Sequence, residues 1–196
     1  MALGDIHKQS DFDVIVGAKF NRLYTARFFC LAIYKLLGWR RKIKITRDGF
    51  CFNHFITERA YRLKPPYNIY WQELYANLAP IFGDHKKIVE FFDDNAQWIK
   101  NINSNSQCSI TDKIINDLRF QYKKSSQTKI ILERLLSGKL GDRLDNFFKS
   151  YQIKKIEKFL RKYPPGHKPR IIYTDEEVEL HLDTRRLETI KNKRYV

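Results

Sequence analysis

Residues 10–17 read Ser-Asp-Phe-Asp-Val-Ile-Val-Gly, and this stretch decides which fold the chain is expected to adopt. The β-branched run that ends at Gly17 predicts a short buried strand, and two aspartates stand at its entrance. Because side chains alternate along a strand, Asp11 and Asp13 are expected to point to the same side, close enough to share one cation. The pattern therefore predicts a strand that presents a pair of carboxylates.

The residues that follow predict an α/β (α+β) fold around this strand. Apolar residues recur with helical spacing from 23 to 37, and Gly38 is a natural end for that helix. A second apolar strand is predicted over residues 50–56. The order strand, helix, strand favours a parallel pair, although the Asp-Gly turn at 48–49 could also close a hairpin with residues 42–46. A small mixed sheet is the favoured interpretation.

The rest of the chain is predicted to be mainly helical, with helices over 67–78 and 85–102 and a break between later helices at Ser137-Gly138. We divide the chain into an α/β core (1–57), buttressing helices (58–103), a helical extension (104–163) and a basic C-terminal tail (164–196). In the tail, residues 171–173 and 178–182 predict two short extended pieces. Thr174 and Glu177 match a capping box, which would instead place a helical turn between those pieces.

Composition and charge narrow the possible functions. The 196 residues are 43% hydrophobic, which supports a folded core and excludes a disordered chain. Lys and Arg number 37 against 22 Asp and Glu, and the net charge of +15 predicts attraction to polyanions such as nucleic acids or nucleotide phosphates. The densest basic cluster is Arg40, Arg41, Lys42 and Lys44. A solvated basic surface is the alternative interpretation of this charge.

The cysteines and the longest apolar run predict a cytoplasmic protein with no membrane partner. The three cysteines lie apart in the sequence, as is typical of a reducing compartment. No Cys-x-x-Cys or His-x-x-x-His spacing supports a structural zinc site. The most apolar stretch, residues 28–39, is shorter than the roughly 20 residues that a membrane span requires, and the first ten residues contain no apolar export signal.

An Asp-x-Asp pair at the mouth of a strand suits the chemistry of nucleotidyl transfer. That reaction needs the charge of the phosphates to be neutralised, commonly by two magnesium ions about 4 Å apart that carboxylates hold. Two aspartates can bind Mg²⁺ while leaving positions for triphosphate oxygens. A solvated loop or a strand-capping pair is the alternative for an isolated Asp-x-Asp.

Residues 4–16, Gly-Asp-Ile-His-Lys-Gln-Ser-Asp-Phe-Asp-Val-Ile-Val, resemble the core of the DNA polymerase beta-type nucleotidyltransferase superfamily. In that family a Gly-Ser pair precedes an Asp-h-Asp motif, where h is an apolar residue, and an apolar strand follows. Four later segments resemble a bacterial branch of the same superfamily: Arg22-x-x-x-x-Arg27, Gly38-Trp39-Arg40-Arg41, Asn95-x-x-Trp98-Ile99 and His181-x-Asp183-x-Arg185-Arg186.

The resemblance implies a nucleotidyltransferase-like sheet and a transferase that uses Mg²⁺ or Mn²⁺. Metal-bound Asp11 and Asp13 would position a nucleoside triphosphate so that an acceptor hydroxyl attacks its α-phosphate and pyrophosphate leaves. The acceptor could be a protein, a nucleic acid or a small molecule. Ser10, Arg22 and Arg27 are the candidate nucleotide-binding residues, although both arginines could instead lie along a core helix.

Two departures from the family pattern support a second interpretation. The Gly-Ser pair is expected immediately before Met1, so the chain is expected to begin inside the first helix. The third-carboxylate position falls at Asn53, and an amide binds magnesium more weakly and cannot accept a proton. His54, the next residue, is expected to face the other side of its strand as a core histidine. The alternative function is therefore a catalytically weak or inactive relative that binds nucleotide or RNA, and an interaction protein comes third.

Overall fold

The computed structural model describes residues 12–39, 49–64, 78, 80–100, 127–162 and 170–181. The elements are β1 (Phe12–Ala18), α1 (Leu23–Leu36), β2 (Phe50–Thr57), a 3₁₀ helix (Glu58–Ala60), α2 (His85–Lys100), α3 (Gln127–Leu136), α4 (Lys139–Leu160), β3 (Arg170–Tyr173) and β4 (Glu177–His181). The predicted strands, the helix over 23–37 and the break at Ser137-Gly138 are confirmed. The predicted helix over 67–78, apart from its last residue, the basic cluster at residues 40–44 and residues 10–11 lie outside the described residues.

The chain divides into two compact units. The first, which we call the sheet unit, combines His7–Thr57 with Ser126–Val196. The second, which we call the middle unit, combines Met1–Ile6 with Glu58–Ser125. All four described strands belong to the sheet unit.

The sheet has the strand order β1-β2-β4-β3 and is mixed. The strands β1 and β2 pair in parallel, with α1 as the connecting helix, whereas β4 pairs antiparallel with both β2 and β3. The prediction of a mixed sheet is therefore confirmed. The predicted C-terminal tail contributes two of its strands.

The turn between β3 and β4 corrects the interpretation of Thr174 as a helix cap. The Thr174 hydroxyl accepts hydrogen bonds from the N–H groups of Glu176 (3.2 Å) and Glu177 (3.0 Å), as a cap would. However, the Thr174 N–H donates to the Glu177 carbonyl at 2.8 Å, and the chain reverses into a hairpin. The same local pattern of hydrogen bonds serves a turn here because Ser, Thr and Asp side chains stabilise both structures.

One extra residue in β2 shifts the register of the parallel pair. Asp13 lies opposite Cys51, but two residues later Ile15 lies opposite His54, three residues further along β2. Such a bulge reverses which face each later side chain occupies. Phe52 and Phe55 consequently lie in the same apolar cluster, although they are three residues apart.

The face of the sheet that carries this cluster, which we call the helix face, packs against α1. Five buried side chains form its centre: Leu23, Tyr24, Phe52, Phe55 and Val178. The helix α1 reaches this face because its apolar residues recur every three or four positions. It ends at Leu36, and Gly38, two residues further on, adopts φ +73°, a conformation that favours glycine.

The helix α4 packs on α1, and its side chains form hydrogen bonds with backbone groups in the first turn of α1. Arg22, which precedes α1, makes no side-chain cap hydrogen bond. Instead, the buried Asp145 of α4 accepts a hydrogen bond from the Thr25 N–H at 2.8 Å, and Gln152 donates to the Tyr24 carbonyl at 2.8 Å. A carboxylate at the positive end of a helix dipole stabilises that helix. The α1 helix therefore depends on contacts with α4 for its first turn.

Asn95, from one of the segments that carry the family resemblance, is a packing residue of the middle unit. It is fully buried. Its amide oxygen accepts from the Leu63 N–H at 3.0 Å, and its amide nitrogen donates to the carbonyls of Tyr61 (2.6 Å) and Phe91 (2.7 Å). One side chain thus satisfies three buried backbone groups and fixes residues 61–63 against α2.

The longest described helix, α4, spans 22 residues and carries Lys and Arg along its length. Among the described residues, no helix combines the length and the apolar character needed to cross a bilayer.

Candidate functional site

The face of the sheet opposite α1, which we call the polar face, collects ionisable side chains from all four described strands. Alternation and the register place them on this face: Asp13 on β1, Cys51 and His54 on β2, Arg170 on β3, and Glu177, Glu179 and His181 on β4. The neighbours Val14, Val16, Val178 and Leu180 pack on the helix face. The polar face is therefore the part of the sheet unit where chemistry can be sought.

Asp13 is solvent-exposed on β1, between Phe12 and Val14, which are both partly buried. Its position on the polar face leaves the carboxylate accessible from the side that α1 does not cover. Asp11 and Ser10 lie outside the described residues. The predicted pairing of Asp11 with Asp13 around one cation therefore stays a prediction.

Asn53, the predicted third-carboxylate position, lies at the bulge between Cys51 and His54 and is partly buried. The structure brings carboxylates to the polar face from a different strand. Glu177 and Glu179 of β4 lie one strand beyond β2, and both are buried. The assignment of Asn53 to the third-carboxylate position stays a prediction.

His54, Glu177 and Glu179 form a buried cluster that could hold a metal ion. One ligand atom from each residue lies within 4.8 Å of the other two. His54 Nε2 lies 3.0 Å from Glu177 Oε1, and the three residues are 3%, 1% and 0% exposed, respectively. Imidazole nitrogen and carboxylate oxygen are common ligands of divalent metals.

The carboxylate of Glu179 is held by two further side chains. Arg170 Nε lies 2.9 Å and 2.8 Å from its two oxygens, and His181 Nδ1 lies 3.1 Å from Oε1. Burial by itself raises the pKa of this carboxyl. Electrostatic attraction to His181, His54 and Arg170 outweighs burial, so the pKa of Glu179 lies below its ordinary value. Glu179 is therefore ionised at neutral pH.

The prediction that His54 is a core histidine is confirmed by its burial, but its face was not foreseen. If side chains alternated regularly along β2, His54 would face away from the side that carries Asn53, the predicted third-carboxylate position. The bulge instead places His54 opposite Ile15, on the face that also carries Asp13. A bulge of this kind leaves no clear signal in the sequence.

Arg22, a predicted nucleotide-binding residue, contacts the connection between α3 and α4. Its guanidinium donates to the carbonyls of Asn21, Leu136 and Gly138. It also pairs with the carboxylate of Asp142 at 2.7 Å. These contacts lie on the side of the sheet that α1 covers.

Arg27, the second predicted nucleotide-binding residue, is 9% exposed inside the same packing. Its Nη1 donates to the side-chain oxygen of Gln152, and the guanidinium carbon lies 5.8 Å from the centre of the Phe55 ring. The structure thus brings neither arginine together with Asp13. Phosphate binding by Arg22 or Arg27 stays a prediction, and both side chains contribute to the packing of α1 on α4.

A second group of carboxylates, near the start of α1, is engaged in packing. Asp142 pairs with Arg22, Asp145 accepts from the Thr25 backbone, and Asp175 pairs with Lys149. Each of these three carboxylates therefore has a packing or ion-pair partner within the fold. The polar face is the stronger candidate site.

Sequence reasoning missed Glu177 and Glu179 as candidate site residues. The sequence Glu-Val-Glu-Leu-His over β4 does alternate between ionisable and apolar residues, which is the signal of a strand with one polar face. Such a face usually meets water, whereas here the glutamates are buried.

Comparison of the chain with protein-family models, with curated proteins and with solved structures gives no match in any of the three.

Proposed function

We propose that the chain is a nucleotidyltransferase-like protein that transfers a nucleoside monophosphate from a triphosphate to an acceptor hydroxyl, with Asp11 and Asp13 as metal ligands. The observation that carries the proposal is the position of Asp13. It is an exposed carboxylate on the polar face of β1, in the motif that resembles the nucleotidyltransferase core. The nucleotidyltransferase-like fold is part of this proposal.

An exposed aspartate at a strand fits magnesium binding. Mg²⁺ prefers carboxylate and water oxygens and keeps several waters, so its site must be open to solvent and substrate. Asp13 offers such an oxygen, whereas the carboxylates of β4 are buried. When bound there, the metal would neutralise charge on the triphosphate.

The reaction follows from the chemistry of the substrates. The oxygen of the acceptor hydroxyl forms a bond with the α-phosphorus, and the bond from that phosphorus to the oxygen bridging to the β-phosphate breaks. The hydroxyl proton passes to solvent, and pyrophosphate leaves with the electron pair. Asp13 would contribute as a ligand of the metal ion that orients the triphosphate for this attack.

The partners are proposed on the same basis. A nucleoside triphosphate is the first, and the net charge of +15 favours a nucleic acid as a further polyanionic partner. The alternative, a nucleotide- or RNA-binding module without turnover, is favoured by the amide of Asn53 at the third-carboxylate position.

A transfer assay with an α-labelled nucleoside triphosphate and Mg²⁺ tests the proposal. Candidate acceptors are the chain itself, added RNA and a small polyol, and labelled product is separated from labelled triphosphate. We expect transfer by the unmodified chain to be slow, and to fall by at least tenfold in Asp13→Asn.

Asp94→Asn is the matched control, because Asp94 is an exposed aspartate of α2 in the middle unit. It should retain the wild-type rate. Transfer that survives in Asp13→Asn combined with Asp11→Asn would refute the proposed site. Binding of the triphosphate without any transfer would support the binding-module alternative instead.

A further inference from the structure

We infer that His54, Glu177 and Glu179 bind one transition-metal ion of the Zn²⁺ class, at a site separate from the proposed magnesium site. The inference rests on the identity of the ligand atoms, their proximity and their burial. It does not depend on nucleotidyl transfer.

The backbone of two paired strands brings the three ligands together. In the antiparallel pair of β2 and β4, His54 lies directly opposite Glu179. Glu177 is two residues before Glu179 on the same strand, so both carboxylates emerge on the same face. The bulge at Asn53 aligns His54 with them. Hydrogen bonds of the sheet therefore define the positions from which all three side chains extend.

The spacing of the ligand atoms suits a single ion. Ligands bound to zinc at about 2.1 Å in a tetrahedron lie roughly 3.4 Å from one another. His54 Nε2 and Glu177 Oε1, at 3.0 Å, are already this close, and all three ligand atoms lie within 4.8 Å of one another. Since the separations are at most 4.8 Å, binding of one ion requires the ligand atoms to approach one another by no more than about 1.4 Å.

The side chains around Glu179 match those that surround a metal ligand. Arg170 and His181 approach its oxygens and fix the orientation of the carboxylate. An ionised carboxylate has about four lone-pair positions, so it can accept these hydrogen bonds and still bind a metal. Outer hydrogen bonds of this kind orient metal ligands and raise metal affinity.

The ligand set distinguishes zinc from magnesium. One imidazole nitrogen with two carboxylate oxygens suits Zn²⁺, and also Mn²⁺ or Co²⁺, whereas Mg²⁺ prefers a hydrated site with oxygen ligands alone. All three ligands are at most 3% exposed, which leaves little space for the waters that Mg²⁺ keeps. Asp13, by contrast, is exposed and lies on β1, two residues before the partner of His54.

Metal content after equilibrium dialysis tests the inference directly. The purified 196-residue chain is stripped with a chelator, dialysed against Zn²⁺ and analysed for bound metal. We expect one equivalent of Zn²⁺ per wild-type chain and a rise in melting temperature with Zn²⁺ but not with Mg²⁺. His54→Gln and Glu177→Gln should lose this equivalent, and Arg170→Gln should weaken binding by about 10- to 100-fold.

The controls are a histidine and a glutamate on the exposed surface of α2. His85→Gln and Glu90→Gln should keep the full equivalent of Zn²⁺. Asp13→Asn should also keep it, which separates this site from the proposed catalytic one. Equal Zn²⁺ binding by wild type and His54→Gln would overturn the inference.

Cobalt provides a test that needs no variant to fold. Co²⁺ bound by nitrogen and oxygen ligands in the wild-type chain should give visible d–d absorption without the near-ultraviolet band of a thiolate ligand, and Zn²⁺ should abolish the absorption. A wild-type chain that takes up neither Co²⁺ nor Zn²⁺, or that binds Co²⁺ through thiolate, would overturn the inference. In that case the three residues form an ion-pair network only.

Discussion

The two faces of the sheet are built by alternate residues of the same strands, yet they follow different physical rules. In β4, Val178 and Leu180 join the apolar cluster of the helix face, while Glu177 and Glu179 are buried on the polar face. Burial of apolar side chains stabilises a fold without regard to direction. Burial of carboxylates is unfavourable unless each has a partner in the correct position.

The two faces differ in what they contribute: the helix face stabilises the fold, and the polar face carries the side chains suited to binding or chemistry. On the helix face the sheet gains stability from shape and apolar area, and many apolar side chains could serve there. On the polar face, Glu179 requires Arg170 and His181 at specific positions. Replacing a buried ion pair with apolar residues is often neutral or stabilising, so stability alone gives little reason to retain this network. A binding role would provide the reason.

The largest expected effect is on the helix face. Phe55 is fully buried within the apolar cluster, so Phe55→Ala should lower the free energy of unfolding by about 4 kcal/mol, as measured by urea denaturation. Leu36→Ala is the control, because Leu36 is 87% exposed on α1. A loss below about 1 kcal/mol for Phe55→Ala would show that the helix face is not the main source of stability.

The next effect is on the polar face and depends on pH. Glu179→Gln removes the ionised partner of Arg170 and should lower the free energy of unfolding at neutral pH by about 3 kcal/mol. Glu176→Gln, at a partly buried residue in the adjacent turn, is the control. A neutral result would mean that the network tolerates loss of this charge.

The free energy of unfolding is expected to fall at acid pH because of Glu179. The pKa of this carboxyl is lower in the folded chain than its ordinary value. The contribution of this carboxylate is fully present above the unfolded-state pKa and is lost as the pH falls through the folded-state pKa. Unfolding measured between pH 6 and pH 3 should therefore show a steeper loss in wild type than in Glu179→Gln. Parallel curves would contradict the assignment of Glu179 as ionised.

A smaller effect tests the packing behind the helix face. A Cβ added at Gly141 of α4 would lie 1.9 Å from the Leu136 carbonyl oxygen and 2.7 Å from an Arg22 nitrogen, so the backbone would have to shift. Gly141→Ala should lower the free energy of unfolding by about 2 kcal/mol. A Cβ at Gly138 meets nothing within 4 Å, and Gly138→Ala should be tolerated. Equal effects of the two variants would show that α4 adjusts freely against α3.

Patterns among neighbouring residues predicted the strands and helices. The features that were not predicted depend on contacts between residues that are distant in the sequence. The strand β1 and the helix α1 were predictable because alternation and helical spacing are properties of neighbouring residues. The contact between His54 and Glu177 joins residues 123 positions apart, and Arg27 meets Gln152 across 125 positions. No spacing in the sequence indicates such contacts. The contacts that Arg22 and Arg27 make with the α3–α4 connection and with α4 were therefore not predictable, and phosphate binding by these arginines stays a prediction.

The part of the site that was predictable is the part that depends on alternation alone. Alternation predicts that Asp13 and Asp11 point to the same side of the strand. Asp13 is exposed on the polar face, and its pairing with Asp11 stays a prediction. The face of His54 was not predictable, since the bulge at Asn53 reverses the alternation beyond it. The burial of Glu179 was not predictable either, because its partner Arg170 comes from another strand.

Metal-nucleotide binding at Asp13 tests the central claim most directly, namely that the polar face carries chemistry while the helix face carries stability. Mn²⁺ bound in the presence of a non-hydrolysable ATP analogue would be measured by electron paramagnetic resonance, alongside urea unfolding, for wild type, Asp13→Asn and Asp94→Asn. We predict that Asp13→Asn loses the nucleotide-dependent Mn²⁺ while its free energy of unfolding changes by less than about 0.5 kcal/mol. Nucleotide-dependent Mn²⁺ that is undiminished in Asp13→Asn would contradict the account.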